Sequence, residues 1–206
     1  GTDLNGKAAQ NAARRIRDTI RKTEEELVIQ SPYLILNFSG RWAFRKLQKQ
    51  EPPATVVIST NSFASTDNTV AYSANYKMRS MYFERLGFRI FELKPQPADF
   101  LELLPNFPEL KERAERVGET REPFVSVHAK SIVMDGHTVY VGSYNLDPRS
   151  DNLNTENGVL IEDARIARAV RDAILDDTHP GRSWVIAKRR FPLSDVNYLI
   201  EGLSGL

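Results

Sequence analysis

The strongest constraint on the fold is a rhythm along the chain, in which short apolar runs alternate with stretches of helical period. Leu27-Val28-Ile29 and Val56-Val57-Ile58 are β-branched runs too short for helices, and residues 88–93 form a third run of the same kind. Residues 8–22 place Ala12, Ile16 and Ile20 four apart, with Arg14, Arg15, Arg17 and Arg21 mostly on the opposite face of a helix. Residues 41–50 are helix-like and stop before Pro52-Pro53. Residues 70–86 suit a helix with Ala74, Met78 and Met81 inward and Gly87 as its stop. Strands separated by helices predict the α/β class: a mixed central β-sheet flanked by helices on both faces.

Residues 95–123 break the rhythm. Pro95, Pro97, Pro105 and Pro108 precede a charged stretch, which predicts a connection with one or two short helices. Such a connection is either a surface excursion or a loop overhanging a site. Residues 125–134 and 138–141 then read as two strands joined at Asp135-Gly136, a hairpin signal. Residues 158–161 suit another strand. Asp163 is placed to cap a helix carrying Ile166, Val170 and Ile174 on one face. Residues 184–187 suit a last strand, followed by a short helix at the chain end. A length of 206 residues supports one domain, residues 1–206, with a substantial core.

Composition removes several classes of function. Lys plus Arg number 28 and Asp plus Glu 27, so a net charge of +1 gives no overall field for nucleic acid, which is not an expected partner. The chain has no cysteine, hence no disulfide, thiolate nucleophile or thiolate metal site. Its histidines, His128, His137 and His179, lack the i, i+4 spacing of a helical zinc pair, so neither a metal nor a cofactor is expected. No apolar run reaches the ~18 residues of a membrane span, and no signal peptide is visible at Gly1. His137 and His179 read as solvated loop residues. Lys188-Arg189-Arg190 reads as a solvated basic run, with contact to anionic lipid as the alternative.

The hairpin carries the chemistry. Side chains alternate along a strand, so His128 and Lys130 share a face. With a two-residue turn at Asp135-Gly136, Lys130 falls opposite Val141 and His128 opposite Ser143, and Asn145 has the parity of Ser143. An imidazole, an ammonium, a hydroxyl and a carboxamide are then expected on one patch. These groups suit a phosphodiester. The lysine and the neutral donors hold the non-bridging oxygens, and a neutral imidazole attacks phosphorus. Gly142 leaves room for a ligand to approach the backbone. Taken singly, each residue has a plain structural explanation.

The series His128-x-Lys130-(x)4-Asp135-(x)6-Gly142-Ser143-x-Asn145 matches without a gap the HKD motif, and on it the chain resembles the phospholipase D superfamily. Its flanks, Leu146-Asp147-Pro148-Arg149-Ser150 and Leu153-Asn154-Thr155-Glu156, resemble the bacterial cardiolipin synthase branch. So do Gln30-Ser31-Pro32-Tyr33 and residues 60–67 upstream, in the manner of a second motif-bearing half. The resemblance implies His128 as nucleophile or general acid, and Lys130, Ser143 and Asn145 as phosphate ligands. It implies Glu156 as the carboxylate that orients the imidazole, and Tyr33 and Asn61 as residues near the substrate. Asp135 and Gly142 would be structural. No metal or cofactor is implied. Two motifs face each other in this superfamily, so a second one is expected upstream in a longer chain or on a second copy. The start at Gly1 favours a fragment of a two-motif protein.

The function so implied is phosphatidyl transfer or phosphodiester cleavage on a phospholipid through a phosphohistidine, in the cytoplasm or at the membrane of a bacterium. The alternatives are a homodimeric nuclease of the superfamily and a non-catalytic scaffold half. Near-neutral charge argues against the first and the intact motif against the second.

Overall fold

The computed structural model describes residues 3–187, with side chains described from Ala12 onward. The chain runs α1 (Asp3–Ile20), β1 (Glu26–Gln30), α2 (Phe38–Gln48), β2 (Thr55–Asn61), α3 (Thr69–Glu84), β3 (Arg89–Leu93), α4 (Phe100–Leu103), α5 (Phe107–Arg116), β4 (Ser131–Met134), β5 (Thr138–Gly142), α6 (Pro148–Asn152), β6 (Gly158–Glu162), α7 (Ala164–Asp177) and β7 (Ser183–Ile186). The described strands make one sheet in the order β6-β5-β4-β1-β2-β3-β7. Strands β1, β2 and β3 are mutually parallel, and the remaining pairings are antiparallel. This is the mixed α/β sheet that the alternation predicts.

Alternation along each strand divides the core in two. On one face Leu27, Ile29, Val56, Ile58, Ile90, Ile132 and Met134 pack with Ile16 and Ile20 of α1, Phe44 and Leu47 of α2, and Tyr82 of α3. On the other, Val28, Val57, Phe91, Val133 and Val139 meet Ala167 and Ile174 of α7. Each fully buried aliphatic side chain contributes about 1.5–3 kcal/mol, so both faces are anchored, the first by three helices and the second by one. Caps set several boundaries. The side chains of Asn37, Asn68 and Asp163 accept backbone N–H bonds at the starts of α2, α3 and α7. Gly87 adopts φ +61° just past α3, where a Cβ would be strained. The proline-rich connection holds two short helices, α4 and α5, and α5 buries no side chain.

Two expectations about the hairpin are corrected. First, the strand expected over residues 125–134 begins only at Ser131. Upstream of it the backbone bonds elsewhere: Val125 N–H to the Pro95 carbonyl, and Val127 to the side chain of Asn61. Second, the register is one residue from that of a two-residue loop, because Met134 pairs with Thr138 and Ser131 with Val141. Asp135 and Gly136 both have positive φ, of 51° and 59°, and His137 N–H returns to the Met134 carbonyl at 3.1 Å. The turn itself is therefore of the expected kind, but His137 is left over as an extra loop residue. A one-residue shift reverses every face relation built on the turn. The final strand forms close to its expected place, whereas the expected C-terminal helix and the run Lys188-Arg189-Arg190 lie outside the described residues.

Candidate active site

The strand directions bring the motif together at one edge of the sheet. Gln30 pairs with Ser131, Ser131 with Val141, and Gly142 with Gly158. The ends of β1 and β5 and the beginnings of β4 and β6 therefore coincide, and β2, parallel to β1, ends beside them. His128 and Lys130 precede β4, Ser143 and Asn145 follow β5, Glu156 precedes β6, and Tyr33 follows β1. A parallel bridge between Leu34 and Leu146, with Ile35 N–H on the Leu146 carbonyl at 2.7 Å, holds the Tyr33 loop against the Asn145 loop. The groups gather as loops leaving one sheet edge, not as cross-strand neighbours on a face.

Asn61, expected near substrate, is 1% exposed and fully engaged inside the protein. Its Nδ2 donates to the Val127 carbonyl at 2.9 Å, and its Oδ1 accepts from Val127 N–H at 2.7 Å. It clamps the backbone of the residue before His128, and at 1% exposure its amide faces the protein interior. His128 itself is exposed, and its ring has no hydrogen-bond partner among the described residues. The Lys130 ammonium donates to the His128 carbonyl at 2.7 Å. Partial burial pulls the Lys130 pKa below the ordinary lysine value, while the negative charges of Asp67, Glu156 and Asp147 act to raise it. The cation thus feels three carboxylates, none of them part of the motif.

The segment after β5 is held at three successive amides. Ser143 N–H donates to the Asn157 carbonyl at 2.8 Å, Tyr144 N–H to the Tyr140 hydroxyl at 3.2 Å, and Asn145 N–H to Ser150 Oγ at 3.2 Å. Ser143 Oγ donates to Glu156 Oε2 at 2.5 Å and accepts from Asn157 N–H at 2.9 Å. Glu156 is therefore seated on Ser143; the expected bond to the His128 imidazole is not present. Asn145 Oδ1 is buried without a partner, an acceptor that a donor on a bound ligand would satisfy. Gly142 also has a different reason from the one expected. A Cβ there would lie 2.2 Å from Tyr140 Oη and 2.3 Å from the Asn157 carbonyl oxygen, so the protein itself fills the space.

Tyr144 anchors the segment from below. It is 3% exposed, and its hydroxyl donates to Asp151 at 2.7 Å. Asp151 also takes Arg17 from α1 and the Nδ2 of Asn37. Asp147 caps α6 by accepting from the amides of Arg149 and Ser150 at 2.8 and 2.9 Å. Tyr33 donates its hydroxyl to Asp67 at 3.0 Å. Burial, with Asp67 adding to it, pushes the Tyr33 pKa up to about 12. The Asp135 carboxylate accepts from the amides of Glu24, Glu25 and Glu26 at 2.9, 2.8 and 3.0 Å. It ties the hairpin turn to the entry of β1, far from His128 along the strands. Beside Glu156 opens a cavity of about 320 Å³, lined by Arg15, Ile16, Tyr140, Glu156 and Leu160 among others.

Sequence reading missed Asp67, Asp147, Asp151 and Tyr140. Asp67 and Asp147 lie inside stretches singled out for resemblance, but nothing in their spacing signals a carboxylate near Lys130. Among the described residues no His, Cys, Asp or Glu cluster of three or more has a metal-holding arrangement, and no helix is long and apolar enough to cross a membrane. In sum, the edge presents an exposed imidazole, a partly desolvated ammonium and a rigid turn bearing a hydroxyl and a carboxamide.

Comparison with known proteins bears on the family and the fold. Residues 16–177 match a family model described as "Cardiolipin synthase, PLD-like domain". The chain is 30% identical over 167 residues to cardiolipin synthase C of Escherichia coli K12, covering 80% of this chain and 32% of that protein. It therefore spans about a third of that relative's length. Among solved structures, phosphatidylserine synthase of Haemophilus influenzae superposes with a TM-score of 0.59 at 16% identity, covering 94% of this chain and 42% of that one. The phospholipase D family member Nuc of Salmonella typhimurium superposes with a TM-score of 0.53 at 18% identity, covering 84% and 90% respectively.

Proposed function

The chain belongs to the cardiolipin synthase, phospholipase D-like domain family, and on that premise we propose that it is one catalytic half of an enzyme that transfers or hydrolyses a phosphatidyl group through a phosphohistidine. The observation that carries the reading is the position of His128. It is solvent-exposed at the sheet edge, one residue past the Asn61 clamp, with Lys130 bonded to its own carbonyl. An imidazole kept accessible beside a cation is placed for attack on a phosphodiester or for protonation of its leaving oxygen.

In the first step a neutral imidazole attacks phosphorus, the P–O bond to the leaving alcohol breaks, and that alkoxide takes a proton from a second imidazolium. In the second step an acceptor alcohol gives its proton to that same second imidazole and attacks phosphorus, and the P–N bond breaks. Water in place of the alcohol gives hydrolysis. Lys130 and the Asn145 amide bind the non-bridging oxygens, where charge builds up in the transition state, and the Ser143 hydroxyl joins them by turning its one proton from Glu156 to the phosphate. Glu156 and the Asn157 amide hold the Ser143 Oγ in place before substrate binds. The cavity beside Glu156 is of the size of small-ligand sites, roughly 300 Å³ and above, and its lining mixes the charged groups of Arg15 and Glu156 with the apolar side chains of Ile16 and Leu160. The second imidazole comes from a second motif, upstream in a longer chain or on a second copy. The site works at a lipid surface, and phospholipid is the substrate.

The test is turnover by the full-length protein on phosphatidylglycerol and on plasmid DNA, each with EDTA present. Lipid conversion is expected, and His128→Ala should lower it by at least about a thousandfold. DNA cleavage without lipid conversion would replace this reading with a nuclease. Undiminished turnover in His128→Ala would remove His128 from the chemistry altogether. Mass spectrometry of an adduct trapped and kept at alkaline pH, where a P–N bond to histidine survives, assigns His128 to attack or to protonation.

A further inference from the structure

Two loops of the site meet over one hydroxyl. Tyr140 is 4% exposed, and its ring lies beneath the directly paired glycines of β5 and β6, Gly142 and Gly158. A Cβ on Gly158 would come within 2.3 Å of the Tyr140 ring, and one on Gly142 within 2.2 Å of its hydroxyl. The ring thus closes both positions to a side chain, together with the Asn157 carbonyl at Gly142. The hydroxyl accepts from Tyr144 N–H at 3.2 Å and donates to the Asn157 carbonyl at 3.3 Å. Tyr144 stands between Ser143 and Asn145, and Asn157 follows Glu156. The same carbonyl takes Ser143 N–H at 2.8 Å.

Filling the core does not explain the hydroxyl, because a phenylalanine would fill the same space with no buried polar atom to satisfy. Both of its partners are backbone groups of the segments that carry the reactive side chains. We propose that Tyr140 is a positioning residue whose hydroxyl sets the separation between the 143–145 segment and the Glu156 carboxylate. It would thereby fix Ser143 Oγ and the Asn145 amide around the phosphate. A displacement near 1 Å in such a constellation is enough to cost a large factor in rate. The inference rests on the catalytic reading above, in which Ser143 and Asn145 bind phosphate.

Tyr140→Phe removes the hydroxyl and keeps the ring. In the full-length protein we expect kcat on phosphatidylglycerol to fall about tenfold, with KM within about twofold of the parent, because orientation is lost and lipid binding is not. Rates are normalised to folded protein by near-ultraviolet circular dichroism, so a loss of folded material alone does not mimic the effect. A kcat within twofold of the parent overturns the proposal. So does an equal rise in KM that leaves kcat unchanged. Should Tyr140→Phe fail to fold, amide exchange in the unaltered protein decides instead: Tyr144 N–H is expected to be protected although it lies outside any strand, and rapid exchange there overturns the proposal. His128→Ala separates the two levels. If it is inactive while Tyr140→Phe is fully active, only the positioning role falls; if it too is active, the catalytic reading falls first.

Discussion

At the scale of single residues, the site depends on how burial and charge compete at Lys130. Removing an ammonium from water favours its neutral form, and here that effect outweighs three nearby carboxylates. The folded pKa therefore lies below the 10.5 of an ordinary lysine. The sign for function follows. The cation is present at neutral pH and is lost as pH rises through that lowered value, so turnover should decline on the alkaline side before a free lysine would titrate. We expect Lys130→Arg, which stays charged throughout, to abolish that alkaline limb, at some loss of rate from altered geometry. A pH–rate profile of both proteins measures it, and an unchanged limb in the arginine variant would assign the limb to another group. Asn61 shows the complementary case. Its chemistry suits a ligand, but a side chain 1% exposed with both ends on Val127 is part of the frame that aims His128.

At the scale of elements, the hairpin turn is tied to a distant strand by one carboxylate. Asp135 accepts three consecutive amides at the start of β1 and holds φ +51°. Asp135→Ala leaves those amides to solvent and places alanine in a left-handed conformation, and the two effects together should cost about 2 kcal/mol of stability. Asp135→Asn, which retains an acceptor and tolerates positive φ, should lose less than half as much. Urea unfolding midpoints compare the two. Equal losses would mean that charge, and not the acceptor or the backbone angle, matters at this turn. The three residues of the 143–145 segment show a second element-level device: each amide is bonded to a different partner, so the turn is rigid although it belongs to no strand.

At the scale of the molecule, the two faces of the sheet are unequally covered. Among the described residues three helices close one, while α7 alone covers the other and leaves Val141 40%, Val159 57% and Val185 63% exposed. Val141 and Val159 lie beside the site, at the last pairs of β5 and β6. The proposed reaction needs a second imidazole, and this chain spans about a third of cardiolipin synthase C. We expect the 206-residue chain by itself to turn over no lipid, and a polypeptide that joins it to a second motif to be active. Turnover by the chain alone that rises with the square of its concentration would place the second imidazole on a second copy instead. Sedimentation at the same concentrations reads the pairing directly.

The sequence alone determined the layered α/β class, the main strands and helices, the caps at Asp163 and Gly87, and the identity of the motif residues. These follow from local period, local backbone preference and fixed spacing, each confined to a few neighbouring residues. It did not determine how the motif residues face one another. A single extra loop residue, His137, reversed the parity inferred for Lys130, His128 and Ser143. It also could not show that Glu156 seats on Ser143, that Asn61 clamps Val127, or that Tyr140 occupies the space Gly142 leaves. Those are contacts between elements far apart in the chain, and they are decided by strand register and by what the neighbouring loops bring to the sheet edge.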